Sequence, residues 1–325
     1  MAFRVLATAR SFCKSDGPHH EFLRQNGCEV TLHPPASPLS AADLRGLAPG
    51  YDGIILGLDH CDASVLEASD QLRAISRYGS GVDRVDVEAA TRKGIVVTTT
   101  PGVNRVAVAE LTIGLMFSLA RSIPQVVINT RSGVWERIRG WELYDKTLGL
   151  VGFGAIGREV ATRAIALGMR VLAYDPFSTI DLPGVLAVEL ATLLREAYIV
   201  SLHCPVTPDT EELINAERIG QMRDGAYLVN TARGELVDED ALYAALKSGK
   251  LAGAASDVFR CEPPEGSPLL TCDNFLATLH MGGTSRESVL RMAMMAAQNL
   301  VDTLHDRPCD YVINPAALAI RKRNS

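Results

Sequence analysis

Three apolar runs each lead into a residue able to bind or move charge. Tyr227–Asn230 is followed by Thr231, Ala232 and Arg233; Ala255-Ser256 by Asp257 and then Glu262; Leu276–Leu279 by His280. In open α/β sheets, ligands lie at the carboxyl ends of strands, so the three side chains can converge. As a set they suit the interconversion of a 2-hydroxy and a 2-keto acid. Arginine pairs bidentately with the substrate carboxylate. Histidine takes or returns the hydroxyl proton while hydride moves. A carboxylate beside that histidine favours its imidazolium form. Singly, each is an ordinary strand-end residue, solvated or structural; only the combination points to chemistry.

Hydride needs a carrier, and a second constellation provides for one. Thr147–Val151 reads as a strand, followed by Gly152-Phe153-Gly154-Ala155-Ile156-Gly157 and a helical pattern with apolar Val160, Ala161, Ala164 and Leu167. Gly152 permits the tight turn, Gly154 lets backbone N–H groups approach a pyrophosphate, and Gly157 allows close helix packing. Asp175 follows the next strand 175 − 157 = 18 residues later, near the spacing of a ribose-binding acid. A carboxylate there repels a 2′-phosphate, and Pro176-Phe177-Ser178 bring no arginine to reverse that. The expected cofactor is NAD. Arg158 either neutralises pyrophosphate or is a solvated residue of the first helical turns.

These residues require parallel α/β layers to hold them. Strands are expected at Phe3–Ala7, Glu29–Leu32, Gly53–Leu56, Leu72–Ser76 and Ile95–Thr98, with helical patterns around 20–26, 41–47, 63–68 and 86–93. Pro101-Gly102 punctuates the chain before a long apolar helix, Asn104–Ser122. A second set of strands begins at 147–151 and continues through 170–174, 198–203, 226–230, 253–256 and 275–279. The long final helix, 285–305, is able to return the chain to the first domain. The expected fold is α/β with two open parallel sheets: a Rossmann NAD-binding domain, 102–285, inserted into a flavodoxin-like substrate domain, 1–101 and 286–325.

Composition narrows the partners. The chain has 325 residues, enough for about two domains. It carries 32 Lys+Arg against 38 Asp+Glu, a net charge of −6, which argues against coating nucleic acid or an anionic membrane. Seven scattered cysteines without C-x-x-C spacing form neither a disulfide framework nor a zinc site, so no metal is expected and the thiols read as cytoplasmic. No apolar run reaches the length of a membrane span.

The chain resembles the D-2-hydroxyacid dehydrogenases, most of all short members similar to phosphoglycerate dehydrogenase. The matching stretches are Ser76–Asp83, Val108–Gly114, Lys146–Val160, Asn230–Asp238, Ala254–Pro263 and His280–Gly283. The resemblance implies Arg233, Glu262 and His280 as the catalytic set. It implies that Gly79, Ser80 and Gly81 offer backbone N–H groups to the substrate carboxylate, with Ser80 also reaching the nicotinamide end. It implies that Ala155, Ile156, Asp175, Cys204, Thr231, Asp257, His280 and Gly283 line the NAD site, and that the substrate lies between the domains. It further implies a homodimer joined through the cofactor domain, to which 104–122 and 133–143, with Trp135 and Trp141, would contribute; core packing is the equal alternative for both tryptophans. No regulatory amino-acid-binding domain is expected after the last helix.

Two departures bear on the substrate. The loop after the third strand, Leu56–Cys61, has no arginine of the kind that holds a substrate phosphate in phosphoglycerate dehydrogenases, whereas Arg84 adds a cation just beyond the glycine loop. Arg10, Lys14, His60 or Arg84 is therefore expected either to receive a distal anion, such as a phosphate, phosphonate or second carboxylate, or to be a solvated loop charge. The alternatives are a hydroxypyruvate/glyoxylate reductase and, in a different class, an NAD-sensing corepressor-like binding protein.

Overall fold

The computed structural model describes residues 2–324. The chain divides into two compact units, Met1–Asn104 with Thr284–Ser325, and Arg105–Gly283.

The first unit is a five-stranded sheet of β1 (Phe3–Ala7), β2 (Cys28–Leu32), β3 (Gly53–Leu56), β4 (Ala74–Arg77) and β5 (Val96–Thr98), ordered β2-β1-β3-β4-β5. Every pairing is parallel, and the order 2-1-3-4-5 is the flavodoxin-like one. The central strands are buried end to end, and β3 accordingly reads as a continuous apolar run. Side chains cap the connecting helices: Ser40 accepts from the Asp43 N–H, Asp62 from Ser64 and Val65, and Asp86 from Ala89. The helix Arg286–Leu304 completes this core. Its Ala293, Ala296, Ala297 and Leu300 pack with Val5, Ala7 and Ile55, and a Cβ on Gly53 would meet Leu300 at 2.9 Å. Beyond it, Asn314 accepts from the Val97 N–H at 2.8 Å and donates to the Ile95 carbonyl at 2.9 Å, tying the C-terminal segment to β5.

The second unit holds seven strands: β6 (Thr147–Val151), β7 (Arg170–Tyr174), β8 (Val185–Ala187), β9 (Ile199–Leu202), β10 (Ala226–Asn230), β11 (Leu251–Ser256) and β12 (Phe275–Ala277). Their order is β12-β11-β10-β9-β6-β7-β8, all parallel. The strand sequence reverses between β6 and β9, the crevice in which an open sheet of this type binds a dinucleotide. β8 has no counterpart in the sequence reading, because it is three residues long and half solvated. The apolar segment after Asn104 forms two helices, Arg105–Arg121 and Ile123–Arg131, bent by 61° about Ser122 in a left-handed conformation (φ 48°). Among the described residues no single helix is long and apolar enough to cross a membrane.

Candidate active site

The turn after β6 opens at the strand-order reversal. Gly152 has φ 99°, and a Cβ there would lie 2.6 Å from the Cys204 nitrogen, so only glycine lets the turn lie against the end of β9. At Gly157 a side chain would strike the Gly152 carbonyl; the helix is thus seated on the turn as well as on the strand. At Gly154, by contrast, a Cβ would meet nothing within 4 Å. That glycine caps the helix Ala155–Ala166, whose first N–H groups lack intrahelical partners and present the positive end of the helix dipole. An exposed cradle of this kind fits the pyrophosphate of a dinucleotide.

Asp175 follows β7, at the place expected of a ribose-binding acid. It accepts from the Phe153 N–H at 2.7 Å and from the Phe177 and Ser178 N–H groups at 2.9 Å each. Partial burial pushes its carboxyl up, but these backbone donors outweigh burial and hold it below the usual aspartate range. It is an anion at neutral pH, as a ribose-binding acid must be. Arg158 turns away from the helix axis toward the loop after β7, donating to the Thr179 carbonyl at 2.5 Å and pairing with Asp181.

At the end of β9, Cys204 and His203 stand beside the turn. Burial pushes the Cys204 thiol up to about 11, which keeps it protonated at neutral pH. Burial lowers His203 to about 3; one ring nitrogen meets Ser201 Oγ at 2.9 Å, and the buried Nδ1 has no partner. Sequence reasoning passed over His203, whose only signal was its place at a strand's carboxyl end.

The remaining strand ends bring the proposed reactive groups to the same edge. After β10, the Asn230 side chain accepts from the Ala232 N–H and donates to the Arg233 carbonyl, forming the turn that carries Arg233. Gly234 lies against the Phe259–Arg260 backbone, where any side chain would collide, so this turn abuts the segment leading to Glu262. After β12, His280 sits in the left-handed region (φ 51°). Its Nδ1 is 2.9 Å from both oxygens of Glu262. The imidazole remains 25% accessible and the carboxylate 10%, so the histidine can meet a solute while its partner stays sheltered.

Asp257 underlies this arrangement. It is buried, and its carboxylate accepts from Thr278 Oγ1 at 2.5 Å, the Met281 N–H at 2.9 Å and the Gly282 N–H at 2.7 Å. Its own carbonyl accepts from the His280 N–H at 2.7 Å. The carboxylate therefore frames the loop that holds His280. Thr231 is similarly directed inward, to Thr112 at 2.9 Å.

In the first unit, Gly79 (φ 141°) donates its N–H to Thr100 Oγ1 at 2.9 Å and to the Arg77 carbonyl at 3.0 Å. That amide thus braces its own loop in this structure, beside Ser80 and Gly81 of the expected set. Arg10 donates to the Ala36 carbonyl at 3.0 Å, and Arg84 to the Leu58 carbonyl at 3.2 Å while also touching His60. Among the described residues, no group of three or more His, Cys, Asp or Glu is placed to hold a metal ion.

The strand order and the glycine turn with its acid together define a dinucleotide-binding class of site, with a histidine–carboxylate pair at the same sheet edge. Comparison with known proteins gives the same answer: residues 113–282 match the family model for the D-isomer specific 2-hydroxyacid dehydrogenase NAD binding domain. A D-3-phosphoglycerate dehydrogenase of Methanocaldococcus jannaschii is 44% identical over 77% of this chain and 49% of its own length. A hydroxypyruvate reductase of Thermotoga maritima is 42% identical over 82% of this chain and 89% of its own. A crystal structure of a Thermus thermophilus protein superposes with a TM-score of 0.87 at 41% identity, covering 95% of this chain and 99% of that one. The match spans 49% and 56% of the two archaeal phosphoglycerate dehydrogenases it resembles. This chain belongs to the D-isomer specific 2-hydroxyacid dehydrogenase family, and its second unit is the family's NAD-binding domain.

Proposed function

We propose that the protein interconverts a small D-2-hydroxy acid and its 2-keto acid. The observation that carries this reading is the His280 imidazole, held at 2.9 Å by both oxygens of Glu262 and still open to solute. With Nδ1 on the carboxylate, Nε2 is the nitrogen that faces substrate. Arg233 binds the substrate carboxylate and fixes C2. In oxidation His280 Nε2 takes the hydroxyl proton, and Glu262 offsets the charge that develops on the ring. In reduction the protonated ring returns it to the carbonyl oxygen. When bound, NAD supplies the hydride acceptor or donor, held by the turn at 152–157 and by Asp175.

The relatives named D-3-phosphoglycerate dehydrogenase, hydroxypyruvate reductase and glyoxylate reductase bracket the substrate class. Arg10 and Arg84 are the proposed receivers of a distal anion, the feature separating the first of these substrates from the other two. NADH oxidation against 3-phosphohydroxypyruvate, hydroxypyruvate, glyoxylate and phosphonopyruvate tests the reading. A kcat/KM for the phosphorylated acid at least tenfold above the others supports a distal-anion pocket, equal values reject it, and no turnover with any 2-keto acid rejects the activity.

A homodimer through the second unit is part of the proposal. Ile123, Val127, Ile128, Val134, Trp135 and Ile138 are exposed, Trp135 at 90%, an apolar concentration of the kind that marks an interface. Trp141 instead packs within its own unit, donating to Tyr227 Oη at 2.8 Å. All seven cysteines are thiols, which supports a reducing, cytoplasmic setting. Sedimentation of the wild type against Trp135→Glu checks the dimer; an unchanged mass would exclude this face.

A further inference from the structure

We propose that Asp181 and Arg158 form a second determinant of cofactor choice, in which Asp181 withholds Arg158 from the 2′-phosphate of NADP. The inference rests on the dinucleotide reading of the turn at 152–157 and names a specificity device within that site. Residues 176–182, the loop past the ribose acid, contain neither lysine nor arginine, so the loop supplies no cation of its own. One reaches it from the helix instead. Arg158 Nη2 donates to the Thr179 carbonyl at 2.5 Å, Nη1 pairs with Asp181, and the guanidinium lies 4.8 Å from the centre of the Phe153 ring. Phe153 is the residue whose N–H holds Asp175 at 2.7 Å. The cation therefore stands over the residue that anchors the ribose acid.

The pair is neither buried nor rigidly walled: the Arg158 side chain is 37% exposed and that of Asp181 63%. Such an ion pair is weak in water and exchangeable. A phosphate dianion is a strong competitor for a planar guanidinium, which it can engage bidentately. Asp181 opposes that exchange twice, by occupying the guanidinium and by adding a negative charge where the phosphate would arrive. Asp175 repels the 2′-phosphate directly; Asp181 removes the cation that would compensate. Changing Asp175 alone consequently leaves part of the discrimination in place.

The test is a set of binding titrations, with NADH and NADPH followed by their fluorescence and 5′-AMP and 2′,5′-ADP as nicotinamide-free probes. They are run on the wild type, Asp175→Asn, Asp175→Asn/Asp181→Asn, and that double variant with Arg158→Gln. Asp175→Asn is expected to weaken NADH and to admit NADPH. Adding Asp181→Asn should tighten NADPH and 2′,5′-ADP by a further factor of about 10, the worth of one charge-assisted contact, without tightening NADH or 5′-AMP. Arg158→Gln should abolish that gain. Thermal melts of each variant, with Asp181→Ser as a second replacement, separate binding effects from misfolding. NADPH affinity unchanged by either Asp181 replacement, or a gain that survives Arg158→Gln, overturns the proposal. Absence of NADH binding in the folded wild type overturns the dinucleotide reading and the proposal with it.

Discussion

Two buried carboxylates, one in each unit, are built alike and hold different loops. Asp59 follows β3 and accepts from Thr8 Oγ1 at 2.6 Å, the Leu39 N–H at 2.8 Å and the Gly57 N–H at 3.2 Å. Asp257 follows β11 and accepts from Thr278 Oγ1 and the Met281 and Gly282 N–H groups. Each is 1% exposed, with one threonine and two backbone donors. The first knot ties the ends of β1 and β3 to the loop after β2. The second ends in a histidine held in left-handed backbone against Glu262. The same device stands at the carboxyl edge of both parallel sheets, and under the proposed reading only the second positions the residue that moves a proton; what separates them is the residue the loop carries.

Breaking the catalytic end of this comparison should have the largest effect. His280→Ala is expected to lower kcat by about 10²–10⁴-fold, the usual worth of a general acid–base, while NADH affinity stays within a few-fold; steady-state turnover with a 2-keto acid and NADH titration measure the two. Near-normal turnover would remove His280 from the chemistry. One step back, Asp257→Asn leaves His280 in the sequence but sets an amide donor against one of the N–H groups now bonded to the carboxylate. Misplacing the imidazole by an ångström costs on the order of 10²-fold in kcat. Because the loop would shift rather than lose its base, the pH dependence of kcat should move along with its maximum. A fall in stability with no change in kcat or its pH profile would make Asp257 merely structural.

Asp59→Asn sharpens the contrast from the other side. An unsatisfied buried donor costs about 1–3 kcal/mol, so the melting temperature should drop while kcat at 25 °C stays near wild type. If turnover fell as far as in Asp257→Asn at equal stability, the two knots would not be functionally distinct.

Much of this was legible in the sequence, and the gaps have physical causes. β1, β3, β6, β7 and β10 were read with their observed bounds, because strands buried on both faces form unbroken apolar runs between turns. The glycine turn and Asp175 were legible because their spacing is set by one strand–helix–strand unit. β8 was not, since a three-residue half-solvated strand carries no periodicity. Nor was the reach of Arg158: helix periodicity gives the face of a side chain, but its partner at Asp181, 181 − 158 = 23 residues on, depends on how the loop after β7 folds back. The inward commitments of Asp257, Thr231 and the Gly79 amide were hidden for the same reason. A residue type states what a group can bond, and only the fold states what it already bonds.

The smallest expected effect is on acid stability, and it again sets one unit against the other. His19 in the first unit is lowered to about 4 by burial and by the neighbouring His20, and His203 in the second is lowered to about 3 by burial. Each has an ordinary value of 6.5 when unfolded. Above that pH both states are neutral and neither group affects stability. Below it the unfolded chain binds a proton that the folded chain refuses, so stability falls as pH drops, down to the folded value of each group. The His19 contribution should flatten near pH 4, whereas that of His203 continues toward pH 3. Urea midpoints at pH 7.5, 5.5, 4.5 and 3.5 for the wild type, His19→Gln and His203→Gln measure this. Each variant should lose stability less steeply than the wild type below pH 6.5, and between pH 4.5 and 3.5 His203→Gln should gain on it more than His19→Gln does. Parallel curves throughout would mean that neither ring is held neutral by its surroundings.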